Sequence, residues 1–192
     1  MAEICAVSSI GGLAYIPYFI IREQSDALCA KLDAMPWDET LKRRTQHFGF
    51  RYDYKARSVL PESYLGPLPD WLDDLARRLH DAGWFPAAPT QVIANEYLPG
   101  QGISAHVDCE PCFGPVIASL SLLSACEMVF RHKSSGQKVS MVLKPGSLLV
   151  MADDARFEWT HEIPARKSDF IEGMRVPRSR RISLTFRNVI QA

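Results

Sequence analysis

The pattern of apolar positions changes character near residue 90. Before it, two segments carry helical spacing. In PDWLDDLARRLHDAG (69–83), Trp71, Leu75 and Leu79 recur at i, i+4 and i+8, with Leu72 and Ala76 beside them, so one helix face is apolar. Asp70, Asp73 and Asp74 open the segment, and Arg77, Arg78 and His80 close it. That charge order suits the helix dipole, and Gly83 can stop the helix. The shorter SDALCAKLDAM (25–35) reads as a helix capped by Ser25 and ended before Pro36.

Beyond residue 90, short β-rich runs follow one another: QVIANEY, ISAHVD, VIASLSLL, CEMVFRH, QKVSMVLK, SLLVM, FEWTHEI and RRISLTFRNV. Turn residues separate several of them, among them Leu98-Pro99-Gly100-Gln101-Gly102, Ser134-Ser135-Gly136 and Pro145-Gly146. Many short strands at fairly even spacing predict a sandwich or barrel. With the helices coming first, the expected class is α+β: a mostly antiparallel jelly roll supported on one face by N-terminal helices. No stretch is rich enough in Gly, Ser or Pro to divide the chain, so residues 1–192 are expected to form a single domain.

Composition narrows the function classes. An apolar fraction of 47% and a charged fraction of 23% fit a globular protein. Twenty-two basic residues cancel twenty-two acidic ones, so any attraction to phosphate must come from local patches. The N-terminal MAEICAVSSIGGLAYIPYF lacks a basic n-region and a long apolar core, and no stretch approaches the roughly 20 apolar residues of a membrane span. Neither a leader peptide nor a membrane is expected. Five cysteines, an odd number, fit reduced thiols and a cytoplasmic location. No internal repeat is present, and no obligate protein partner is evident.

The candidate chemistry begins in ISAHVDCEPC. On a strand, His106 and Asp108 are two residues apart and share a face. His161, in WTHEI on a later strand, can be brought across by a rolled sheet. Two histidines and one carboxylate make a facial triad that leaves open positions on non-haem Fe(II). In RRISLTFRNV, Arg181, Ser183, Thr185 and Arg187 alternate with Ile182, Leu184 and Phe186. The polar face could be solvated, or it could line a cavity and grip a dicarboxylate through bidentate guanidinium groups. Cys109-x-x-Cys112 lacks the second cysteine pair that a structural zinc site needs, since Cys5, Cys29 and Cys126 supply none. These cysteines read as ordinary thiols in a turn.

The order Asn95-x-Tyr97, His106-x-Asp108, His161, Arg181-x-Ser183-x-x-x-Arg187 resembles the AlkB family of Fe(II)/2-oxoglutarate-dependent dioxygenases. NEYLPGQGISAHVD, SLTFRNV and the upstream RTQHFGFRYDY are similar to the AlkB-type domain associated with tRNA wobble-uridine modification. The resemblance implies a double-stranded β-helix core over 91–189 and a nucleotide-recognition lid over about 41–66. It implies that His106, Asp108 and His161 hold Fe(II), and that Arg181 and Tyr97 bind the distal carboxylate of 2-oxoglutarate, the cosubstrate used with O2. Asn95 and Arg187 would seat the metal-chelating end. Two positions depart from the family pattern: Ser183 stands where Asn is usual, and Glu162 where Gly is common.

Substrate recognition falls to the segment LKRRTQHFGFRYDYKAR. Lys42, Arg43, Arg44, Arg51, Lys55 and Arg57 face a single acid, Asp53, and Phe48, Phe50, Tyr52 and Tyr54 alternate. As a strand these aromatics would share a face, suited to stacking on a flipped base with phosphate contacts at the edge. A half-buried strand with a solvated charged face fits the same letters. A second basic run, RKSDFIEGMRVPRSRR, reads as a loop that either touches a nucleic-acid backbone or is only a solvated connection. Glu110 matches a position where the family often places an acid near the target base. The expected activity is oxidation of a modified base in nucleic acid, by demethylation or stable hydroxylation, with tRNA or other RNA favoured over DNA. A protein or small-molecule hydroxylase, or a non-enzymatic jelly-roll binding module, remains open on these residues.

Overall fold

The computed structural model describes residues 5, 6 and 9–190; the first residues of the stretch read for a leader peptide lie outside them, as does the Cys5 side chain. The first half contains β1 (Cys5–Ala6), β2 (Leu13–Ile16), α1 (Arg22–Asp33), β3 (Thr45–Phe48) and α2 (Asp70–Asp81), with a single 3-10 turn at Pro61–Ser63. The second half is strand-rich: β4 (Gln91–Tyr97), β5 (Ile103–His106), β6 (Phe113–Leu122), β7 (Cys126–His132), β8 (Lys138–Leu143) and β9 (Leu148–Met151). These are followed by α3 (Asp153–Phe157), β10 (Trp159–Ile163), β11 (Ser168–Ile171), β12 (Met174–Pro177) and β13 (Arg181–Val189). Seven strands form one sheet in the order β1-β2-β9-β6-β13-β4-β3, and four form a second in the order β5-β10-β7-β8. Every pairing in both sheets is antiparallel.

Alternation along β13 divides the molecule. Ile182, Leu184 and Phe186 turn to one face of the large sheet, where they join Val92 and Ala94 of β4, Leu120 and Leu122 of β6, and the apolar sides of α1 and α2. Burying each such side chain contributes about 1.5–3 kcal/mol. The stripe that α2 buries is Leu72, Ala76 and Leu79; Trp71 and Leu75 are only partly covered at its edge. The other helix starts three residues earlier than its sequence suggested. Ser25 is buried inside α1, and the entering amide of Ile21 donates instead to Gln24 Oε1 at 3.2 Å.

The opposite face of the large sheet meets the small one. Ile117, Leu149 and Met151 pack with Met128, Phe130, Trp159 and Ile163 in a second apolar cluster. Two glycines shape this region. At Gly102 a Cβ would lie 2.1 Å from the Ile163 carbonyl oxygen, so the β5–β10 approach requires a residue without a side chain. At Gly49, with φ +77°, a Cβ would lie 2.0 Å from Thr90 O. That left-handed residue ends β3 at Phe48, so Phe48, Phe50, Tyr52 and Tyr54 do not continue as one strand. No helix among the described residues is long and apolar enough to cross a membrane.

The second basic run is a hairpin rather than a loop. It forms β11 and β12, whose outer residues are largely exposed, while Arg166, Arg178 and Arg180 at its ends are held in ion pairs. The buried Asp169 carboxylate accepts from Arg178 Nε at 2.6 Å and Arg166 Nε at 2.7 Å, and Arg166 also pairs with Glu127. Arg180 bridges Glu96 and Asp33, while Arg44 holds the other side of Glu96 at 2.6 Å.

Candidate metal centre

His106 and His161 sit directly opposite each other on β5 and β10, with ring centroids 4.4 Å apart. The strand ends at His106. Asp108 lies just beyond it rather than on it, yet its carboxylate turns back to the same point. One ligand atom from each of His106, Asp108 and His161 falls within 4.8 Å of the other two. The His106 ring places Nδ1 2.8 Å from Ser104 O. A carbonyl only accepts, so Nδ1 carries the proton and Nε2 keeps a lone pair for a metal. That Nε2 is 3.5 Å from Asp108 Oδ1, while Asp108 Oδ2 accepts from Arg187 Nε at 3.0 Å.

Electrostatics favours the deprotonated forms of Asp108 and His161. Burial raises the Asp108 carboxyl, but the opposing influences, led by the Arg187 guanidinium, hold the group well below the usual carboxylate range. Burial, then the neighbouring His106, pushes His161 down to about 3. His47, whose Nδ1 accepts the Tyr52 amide at 3.2 Å, is likewise pushed down by burial to about 4. Both lie below the unfolded value of about 6.5. The unfolded chain therefore binds protons first, and stability is lost as pH falls from about 6.5 towards 4. The urea midpoint of metal-free protein is expected to drop across that window, and His47→Asn to flatten part of the drop.

The triad lines a cavity of about 270 Å³ between the sheets. Asn95, Tyr97, Ser183 and Arg187 are on its wall, as the alternation along β4 and β13 requires. Thr185 joins them; it shares the parity of Ser183 and Arg187 and was legible on that ground. Arg181 is 2% exposed and lies against Tyr97, its guanidinium 5.5 Å from the ring. Nη2 donates to Ser121 Oγ at 2.8 Å, while Nε and Nη1 have no partner among the described residues. The polar face of β13 is thus buried inside the roll rather than solvated. Two imidazoles and a carboxylate suit Fe(II), and an unpartnered buried guanidinium suits one end of a dicarboxylate, so the donor set fits both groups.

Segment 41–66 closes part of the cavity. Tyr52 and Tyr54 line it, joined by Arg43 and Arg57. Arg43 Nε donates to Asn95 Oδ1 at 3.0 Å, and its guanidinium stands 5.5 Å from the Tyr54 ring. Phe48 instead packs edge-on to Trp71, Phe50 packs against Tyr64, and Arg51 is exposed away from this wall. Glu110 is exposed and 3.8 Å from Lys133, also off the wall. Cys109 and Cys112 are joined as a disulfide. The Cys-Glu-Pro-Cys turn brings their Cα atoms to 5.3 Å, within bonding range, so the expectation of free thiols holds for Cys29 and Cys126 but not for this pair.

Comparison with known proteins agrees with this geometry. The family model described as 2OG-Fe(II) oxygenase superfamily matches residues 12–187. The chain is 34% identical over 94% of its length to the alkylated DNA repair protein ALKBH8 homolog of Arabidopsis thaliana, of which it covers 59%. It is 34% identical over 97% of its length to the tRNA (carboxymethyluridine(34)-5-O)-methyltransferase alkbh8 of Xenopus tropicalis, of which it spans 33%. The solved structure of OsALKBH1 superposes with a TM-score of 0.75 at 17% identity, covering 97% of this chain and all of that one, which shows a shared double-stranded β-helix fold. The chain belongs to the 2OG-Fe(II) oxygenase superfamily and is of the AlkB type, a dioxygenase whose reaction uses Fe(II), 2-oxoglutarate and molecular oxygen.

Proposed function

We propose that this chain oxidises a modified base in nucleic acid, RNA and particularly tRNA ahead of DNA, in one catalytic domain. His106, Asp108 and His161 hold the iron. Arg181 and Tyr97 take the distal carboxylate of 2-oxoglutarate, and Asn95 and Arg187 serve its chelating end. The observation that carries this reading is one cavity bounded by three convergent ligand atoms, with Tyr97 on its wall and the buried Arg181 guanidinium, which has two nitrogens without partners among the described residues, against Tyr97. When bound, iron and cosubstrate supply oxidation of a C–H bond, coupled to decarboxylation of 2-oxoglutarate to succinate. The protein's own part is to fix the ligands, seat the diacid and orient the target.

The nucleic-acid half rests on segment 41–66, which acts as the lid. Tyr52 and Tyr54 offer aromatic faces at the cavity, where three arginines (Arg43, Arg57 and Arg187) stand against one acid, Asp108. Lys42, Arg51, Lys55 and Arg57 are exposed, and none makes an ion pair among the described residues. The names of the relatives, with their tRNA and DNA substrates, point the same way.

Binding of short single-stranded oligonucleotides is expected to weaken with salt at a slope of about −0.7 per neutralised phosphate. A Lys42→Ala, Arg51→Ala, Lys55→Ala variant should flatten that slope by about two. No affinity even at low ionic strength would turn the reading to a protein or small-molecule hydroxylase. Formaldehyde released during base turnover would indicate demethylation; a retained hydroxyl, seen by nucleoside mass spectrometry, would indicate stable hydroxylation.

A further inference from the structure

We infer that Arg156, outside the cavity and absent from the ligand set, is a positioning residue that fixes Asp108 relative to His161. The inference rests on the metal-centre reading above. Arg156 lies on α3, five residues before His161, and is 3% exposed. All three of its guanidinium nitrogens donate into the turn that begins at Asp108. Nη1 reaches Asp108 O at 3.0 Å, Nη2 reaches Cys109 O at 3.4 Å and Phe113 O at 3.5 Å, and Nε reaches Gly114 O at 3.4 Å.

The need for such a strut follows from the sheet. Pairing of β5 with β10 joins His106 to His161 and Ile103 to Ile163. Asp108 lies past the end of that ladder, so no strand pairing registers it against His161. Arg187 fixes its carboxylate and Arg156 fixes its backbone; of these two, Arg156 belongs to the segment that leads into His161. Inside the turn the amides of Cys112 and Phe113 both donate to Cys109 O, so neither reaches the Asp108 carbonyl.

Stability alone is a poor reason to bury this side chain. Its partners are carbonyl dipoles and the Phe157 ring at 4.9 Å, none of them a counter-charge, and a well-packed apolar residue commonly serves stability as well as a buried charge or better. A flat group with donors on three nitrogens can tie several carbonyls at once; an ammonium on a flexible stem cannot span the same set.

The test is a Co(II) titration of metal-free protein without cosubstrate, read by calorimetry and by the visible ligand-field bands of the bound ion. Wild type, Arg156→Met and Arg156→Lys are compared, each checked for fold by circular dichroism. Groups that orient ligands typically contribute 10–100-fold to metal affinity, so Arg156→Met is expected to bind Co(II) about 10–100-fold more weakly, with altered bands. Arg156→Lys is expected to fall between the two. Wild-type affinity and bands in a folded Arg156→Met, even one of reduced thermal stability, would overturn the strut. Should Arg156→Met not fold, wild-type behaviour of Arg156→Lys overturns it instead. A wild-type protein that binds no Co(II) would defeat the metal-centre reading itself, a separate failure.

Discussion

His161→Ala is expected to lower succinate formation from 2-oxoglutarate by more than about 100-fold, since loss of groups that merely orient a ligand already costs 10–100-fold. His161 is buried on β10 with its ring beside His106 and is held neutral at any working pH, the form a metal needs. Removing it leaves two protein ligands, and alanine offers nothing that could replace the lone pair. His106→Ala should behave alike, because its Nδ1 contact with Ser104 O commits Nε2 to the metal. His132 is the control. It lies on the adjacent β7, bonds Ser135 Oγ at 2.9 Å and lines no part of the cavity, so His132→Ala should keep most activity. Equal succinate yields from wild type and His161→Ala would place the iron elsewhere.

Arg181→Met should separate binding from stability. Two nitrogens of the guanidinium have no partner among the described residues, and an arriving carboxylate would satisfy them. A hydrogen bond to a charged group contributes about 1.5–3 kcal/mol, so the loss of even one should raise the apparent KM for 2-oxoglutarate by at least about 10- to 100-fold. In metal-free protein the same change removes a buried, underused charge and substitutes an apolar side chain of similar length. Its thermal midpoint should therefore hold or rise, as replacement of buried ionic groups by packed apolar ones often shows. An unchanged KM would mean that another arginine takes the diacid.

Much of this site could be read in the letters because strand periodicity fixes parity. Once RRISLTFRNV is a strand, Arg181, Ser183, Thr185 and Arg187 must share a face, and the partner strand brings Asn95 opposite Ser183 and Tyr97 opposite Arg181. The same rule put Asp108 on the strand with His106, whereas β5 ends at His106, and the register that sets His106 opposite His161 is not encoded by parity. Segment 41–66 was harder because one backbone conformation broke the pattern. Gly49 takes a left-handed φ, and the aromatics beyond it are set by loop geometry, which no alternation encodes. The ion pairs of the second basic run were hidden for a different reason: the carboxylates that hold Arg166 and Arg180 include Asp33, Glu96 and Glu127, far away in sequence. Arg156 was silent for the same cause, since its partners lie more than forty positions upstream.

The narrow gap at Gly102 carries a consequence for how this protein tolerates change. Even a single methyl there would wedge against the Ile163 oxygen; Gly102 lies four positions before His106 and Ile163 two after His161, so the clash would force their strands to splay. A residue with no side chain and no part in the ligand set is thus among the least replaceable.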